Sequence, residues 1–252
     1  MTMLRASRWL SRTRRLAGLL ACGLPLWAAA QGAPPGVAFS TDTPGGALPA
    51  GWKNLPVAHG KMSTRYSLVA DGSTTVLEAD ADASASALMH DGDIDLAATP
   101  QASWRWKIEQ PIENADNRVA AQEDAPARLV FLFDGDKEKL SLGERAAMQL
   151  AHTLAGEDLP YATLMYIWSD SAPVGTIIDN PHTSRVKMIV ASGGPGDVGK
   201  WLSLSRNVAQ DYERAFKEAP GRLTAYGLLT DTDNTGAVAR AWYGDIRFSA
   251  GK

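Results

Sequence analysis

Leu223-Thr-Ala-Tyr-Gly-Leu-Leu-Thr230, Asp231-Thr-Asp-Asn-Thr-Gly236 and Ala241-Trp-Tyr-Gly-Asp-Ile-Arg-Phe248 lie close together near the end of the chain: an apolar strand, an acid-rich loop and a second strand. A period of two places Trp242, Ile246 and Phe248 on one face of the second strand and Tyr243, Asp245 and Arg247 on the other. One face is therefore expected in a core, and the other is free to meet a ligand. Paired strands of this kind belong to a sheet whose polar groups gather on one face or rim.

Working outward, the same alternation recurs. Thr64 to Val69 and Thr74 to Ala79 flank Ala70-Asp-Gly-Ser73, a hairpin turn, and Ser84 to His90 continues as a third strand. Ser103 to Ile108 sets Trp104, Trp106 and Ile108 against Arg105 and Lys107. Leu129 to Phe133 is apolar on both faces, as in a central strand. Further strands are predicted at 162–168, 175–178, 185–191 and 201–205. Ser141 with Glu144 forms a capping box before Ala146, Leu150 and Leu154, predicting a helix over 142–155. Asn207 with Gln210 opens a second helix, with Val208, Tyr212 and Phe216 as its apolar stripe and Pro220 beyond its end. The fold class is all-β dominated: a two-sheet β-sandwich of jelly-roll or galactose-binding-like type with two short helical inserts.

Residues 1–30 differ from the rest. Arg5, Arg8, Arg12, Arg14 and Arg15 precede an apolar run from Leu16 to Trp27 and then Ala28-Ala-Ala30, the order of a signal peptide. A Sec-type signal cleaved near Ala30 is expected, giving a periplasmic or secreted protein; twin-arginine export and lipidation at Cys22 are the alternatives. The apolar run falls short of the roughly 20 residues that span a bilayer. Residues 31–50 are read as a flexible lead-in and 51–250 as one sandwich domain. Cys22 is the sole cysteine, so a chain cleaved near Ala30 has no disulfide, thiol nucleophile or zinc-thiolate site. Loss of five leader arginines takes the net charge from −3 to −8, with 20 Lys+Arg against 28 Asp+Glu. Such acidity disfavours nucleic acid and anionic membranes as partners.

Three clusters carry candidate chemistry. Asp231, Asp233 and Asn234 have the oxygen ligands and following glycine of a calcium loop, yet Trp242 stands where an EF-hand needs a bidentate Glu. No cofactor is expected, and Ca2+ held with help from other loops is the alternative; an Asx turn explains the same residues. Arg128 shares a strand face with Val130 and Leu132 and needs a partner, for which Glu123, Asp124 and Asp245 are candidates. Asp124, Arg128, Arg185, Tyr243, Asp245 and Arg247 form the candidate ligand set, because a guanidinium fork suits carboxylates and sugar hydroxyls. Trp52, Trp104, Trp106, Trp168, Trp201 and Trp242 supply either core or sugar-stacking surfaces. The histidines His59, His90, His152 and His182 lack HExxH spacing, and there is no GxSxG, P-loop or strand-linked GxGxxG.

Thr64-Arg-Tyr-Ser-Leu, Ser103-Trp-Arg-Trp-Lys, Asp124-Ala-Pro-Ala-Arg128, Tyr166-Ile-Trp-Ser, Asn180-Pro-His-Thr-Ser-Arg-Val186, Asn207 to Phe216, and Leu229 to Gly236 with Tyr243 to Phe248 together resemble the bacterial domain-of-unknown-function family 3047. The likeness covers roughly residues 50 to 249. It implies an exported protein with no assigned reaction, and by analogy of strand pattern a likeness to carbohydrate-binding modules. The expected function is a non-catalytic binding or accessory protein for a glycan or small polar ligand in the cell envelope. The alternatives are a glycan hydrolase or lyase using two of Glu123, Asp124, Asp231, Asp233 and Asp245, and a structural or assembly partner.

Overall fold

Apolar alternation becomes strand after strand in the computed structural model, which describes residues 35–57, 60–155 and 158–251. The expected leader, with Cys22 and the cleavage site, lies outside the described residues. The strands are β1 (Gly36–Val37), β2 (Trp52–Pro56), β3 (Arg65–Asp71), β4 (Thr74–Asp82), β5 (Ala85–Ile94), β6 (Gln101–Ile108), β7 (Ala125–Phe133), β8 (Ala162–Trp168), β9 (Ile177–Asp179), β10 (Val186–Ser192), β11 (Leu202–Asn207), β12 (Leu223–Asp231), β13 (Val238–Tyr243) and β14 (Ile246–Ser249). Helix α1 (Leu142–Ala155) follows β7, and α2 (Val208–Phe216) follows β11.

Two sheets of seven strands form a β-sandwich-like arrangement, one of them strongly curled. The first runs β1-β14-β6-β13-β4-β3, with β11 on the other side of β6; the second runs β2-β5-β12-β7-β8-β10-β9. Only β8 and β10 among these pairs are parallel. Between the sheets, Trp104, Trp106 and Ile108 of β6 meet Phe131 and Phe133 of β7 and Tyr166 and Trp168 of β8, all buried. The Trp104 and Tyr166 rings lie 5.0 Å apart, and the Trp106 indole N–H donates to Ser192 Oγ at 3.0 Å. These aromatics fill the space between sheets, as the alternation predicts.

Two expectations change. Residues 36–41 are not simply a lead-in: Gly36 pairs with Arg247 and Phe39 is fully buried, 5.4 Å from the Trp52 ring. So short a segment has no period to detect. Helix α1 has the predicted capping box, with the Ser141 N–H on Glu144 Oε2 at 2.9 Å and the Glu144 N–H on Ser141 Oγ at 3.2 Å. Of its predicted apolar stripe, however, Ala146 and Leu150 are exposed, while Met148 packs toward the core. Ser184 donates to Glu144 Oε1 at 2.6 Å, which turns the Glu144–Met148 row inward. In α2, Val208 and Tyr212 are buried as expected, the Asn207 side chain caps Gln210 N at 3.0 Å, and Lys217 ends the helix in a left-handed conformation at φ 62°.

Candidate functional site

The ends of β7 and β12 bring seven candidate residues together: Glu123, Asp124, Arg128, Asp231, Asp233, Asn234 and Tyr243. Arg128, 1% exposed, points from β7 toward Asp231 at the end of β12. Its Nε and Nη2 donate to the two Asp231 oxygens at 3.0 and 2.8 Å, Nη1 to Glu123 Oε1 at 2.8 Å, and Nη2 also to the Glu123 carbonyl at 2.8 Å. Burial pulls the Arg128 guanidinium down, but the Asp231 and Glu123 carboxylates outweigh it and hold it above its ordinary value. Burial pushes the Asp231 carboxyl up to about 7 against the pull of Arg128, with Glu123 and Asp124 adding to the push. Glu123 was among the expected partners of Arg128; Asp231 takes the place expected of Asp124 or Asp245.

Asp124 ties down the acidic loop instead. Its Oδ2 accepts from Thr235 N at 2.7 Å and Thr235 Oγ1 at 2.6 Å, and its Oδ1 from Asn234 N at 3.2 Å. The Asn234 side chain turns to the Ala120 carbonyl at 2.9 Å. Single ligand atoms of Asp124, Asp231 and Asp233 lie within 4.8 Å of one another. Around that triad, Arg128 engages Asp231 and the Lys61 ammonium pairs with Asp233. The carboxylates are thus arranged with protein cations and N–H donors, an arrangement that satisfies buried charge.

Tyr243 lies inside, 1% exposed, with its hydroxyl 2.7 Å from Thr230 Oγ1 and 3.0 Å from the Leu229 carbonyl; it accepts the Arg128 backbone N–H at 3.3 Å. Trp242 is half-buried on the outer face. The structure therefore reverses the predicted faces of this pair, because β13 stops at Tyr243 and the break at Gly244–Asp245 shifts the alternation before Ile246 and Phe248 return to the core.

Asp245 and Arg247 stand apart, on the outer face of the first sheet. Asp245 accepts from Ser40 N at 2.9 Å, Ser40 Oγ at 2.7 Å and Arg247 Nη2 at 2.6 Å. They line a cleft of about 380 Å³ with Ser103, Arg105 and Ser203. Arg185 lies elsewhere again, at a cleft of about 500 Å³ beside α1, with Nε on the Tyr161 carbonyl at 2.9 Å and Nη2 on Glu218 Oε1 at 2.9 Å.

The family described as protein of unknown function (DUF3047) matches residues 50–247. The chain belongs to this family. No curated protein matches it. The DUF3047 span contains the Arg128–Asp231 network, its acidic loop and the whole β13–β14 break, and begins after Ser40, so the Ser40–Asp245 tie joins a residue outside the span to one inside it.

The DUF3047 sheet also presents a surface that the candidate residues missed in part. Trp201 precedes Leu202, the partner of Trp106, and so stands beside Lys107; Lys107 pairs with Trp242, and Trp242 with Glu78. Lys107 Nζ lies 5.2 Å from the Trp201 ring centre and 4.4 Å from that of Trp242, while the Arg105 guanidinium lies 4.3 Å from Trp201. The Trp242 indole donates to Glu78 Oε2 at 2.9 Å. Two half-buried tryptophans, two strand spacings or about 10 Å apart, thus alternate with cations on one outer face. Arg105 and Lys107 were legible as the polar side of β6; the phase of Trp242 was hidden by the Gly244 break.

Proposed function

We propose that the protein is an exported, non-catalytic binding or accessory protein that takes a glycan on the outer face of the first sheet. The observation that carries this reading is the row Trp201–Lys107–Trp242, in which aromatic rings and hydrogen-bonding polar groups share one accessible face. Sugar rings bury their C–H faces on indoles and turn their hydroxyls toward flanking donors and acceptors. Ser103, Ser203 and Ser205 add hydroxyls beside that row, since Ser203 pairs with Arg105 and Ser205 with Ser103. The pairing of carboxylates favours binding over hydrolysis. Glu123 and Asp231 are held by Arg128, Asp233 by Lys61, Asp124 by its loop and Asp245 by Ser40 and Arg247. A glycosidase needs an accessible acid and base, roughly 5 to 10 Å apart.

Titration of the purified protein with neutral and acidic cell-envelope oligosaccharides, followed by tryptophan fluorescence, tests the reading. Saturable quenching is expected, with Trp201→Ala and Trp242→Ala each weakening binding about tenfold while the fold is kept. A folded protein whose fluorescence responds to none of the oligosaccharides would overturn it.

A further inference from the structure

Of the described arginines, all but Arg105 and Arg145 have a carboxylate partner. Arg145 projects from α1 into solvent, whereas Arg105 is half-buried on β6. Its stem lies across Gly244, where a Cβ would collide with the Arg105 Nε and Cγ, and its guanidinium rests on the Trp201 ring at 4.3 Å. The missing side chain at Gly244 thus makes the bed for Arg105, and the break between β13 and β14 opens the cleft of about 380 Å³ beside it. Ser103 and Ser203 line the same cleft. Across it stands Arg247, whose charge is offset by Asp245. The cleft therefore carries one uncompensated positive charge, on a planar fork stacked against an indole and left without an acceptor among the described residues.

We infer that Arg105 is the oxyanion receptor of this face and that the ligand is an acidic glycan, whose sugar carboxylate is taken by the Arg105 fork while neighbouring rings lie on the tryptophans. Guanidinium and carboxylate match as two parallel N–H···O bonds, and stacking on Trp201 fixes the plane of the fork before binding. The inference rests on the glycan reading for the sugar rings, and on Arg105 and Gly244 alone for the anion.

The test uses the full chain, with glucuronate and glucose as probes and the side-chain N–H resonances of Arg105 and Trp201 as readout. Glucuronate is expected to shift both saturably, with a dissociation constant of about 1 mM for so small a ligand, and glucose to shift neither. Arg105→Gln should weaken glucuronate binding about tenfold or more, and Gly244→Ala should do the same by displacing the stem, with the remaining amide spectrum of each variant unchanged. Equal response to glucose and glucuronate, no response to glucuronate, or full affinity in folded Arg105→Gln or Gly244→Ala would overturn the inference. Quenching by neutral oligosaccharides without any glucuronate response would sink this inference and leave the glycan reading standing. A glucuronate response at Arg105 with no oligosaccharide binding would support this receptor and sink the glycan reading.

Discussion

Arg128→Met removes the one cation that serves Glu123 and Asp231 inside the β7–β12 end. Breaking a buried pair from one side costs about 3–5 kcal/mol, a large share of the roughly 5–15 kcal/mol that holds a domain together. At a urea m-value of about 2 kcal/mol/M this lowers the midpoint by roughly 2 M. The cost has a pH signature. The Asp231 carboxyl sits at about 7 in the fold, above its ordinary 3.8, so the folded chain holds this proton more tightly than the unfolded one. Its contribution is therefore fully present below about pH 4 and is lost as pH rises toward 7. Without Arg128 the carboxyl rises further, so the variant keeps losing stability beyond the point where the wild type has levelled off. The deficit of the variant should grow above about pH 7 by up to roughly 1.4 kcal/mol per pH unit, and so be about 1.4 kcal/mol larger at pH 8 than at pH 5. Urea unfolding at both pH values, followed by the fluorescence of the buried Trp104, Trp106 and Trp168, measures it. Arg128→Met/Asp231→Leu should recover much of the loss, since Met165 and Met188 already border the site. A cost below about 1 kcal/mol at pH 8, or an equal cost at both pH values, would refute the argument.

Three further outcomes follow from local geometry. Hydrogen bonds from Ser184 and then Ser141 hold Glu144 at about 2, below its ordinary 4.5, so its contribution is present above about pH 4.5 and lost as pH falls toward 2; the protection of α1 amides relative to their intrinsic exchange rates should fall over that window, and Glu144→Gln should abolish the dependence. Gly227→Ala places a methyl against Met89 Sδ and the Leu88 carbonyl in the middle of the second sheet, and should cost about 1–3 kcal/mol in urea unfolding, with full stability arguing against the close approach. Millimolar calcium should not raise the thermal midpoint, because Lys61 and Arg128 already neutralise Asp233 and Asp231; a clear rise would show that the triad accepts a cation in place of Lys61.

The sandwich was legible because its signals are local. Trp104 and Trp106 alternate with Arg105 and Lys107, the Asp71-Gly72 turn joins β3 to β4, and Ser141–Glu144 and Asn207–Gln210 announce the helices. What escaped is non-local. Arg128 finds Asp231 103 residues away, at a register set by pairing of β12 with β7, and nothing beside either residue encodes it. Tyr243 and Trp242 exchange faces because one glycine interrupts the strand, which a fixed period cannot express. The same glycine beds Arg105, so the error in phase and the oversight of the anion receptor share one cause.

β12 and β13, late among the described strands, occupy the middle of their sheets. β12 lies between β5 and β7 in one sheet, and β13 between β4 and β6 in the other. A ribosome delivering this chain from its amino end releases both sheets in halves, whose inner edges stay unpaired until residues 223–249 emerge. Until then, the earlier strands hold no closed core and remain an open substrate for chaperones. Residues 223–249 thus act as the keystone, and loss of β13 and β14 alone should leave β3–β4 and β6–β11 of the first sheet with nothing to join them.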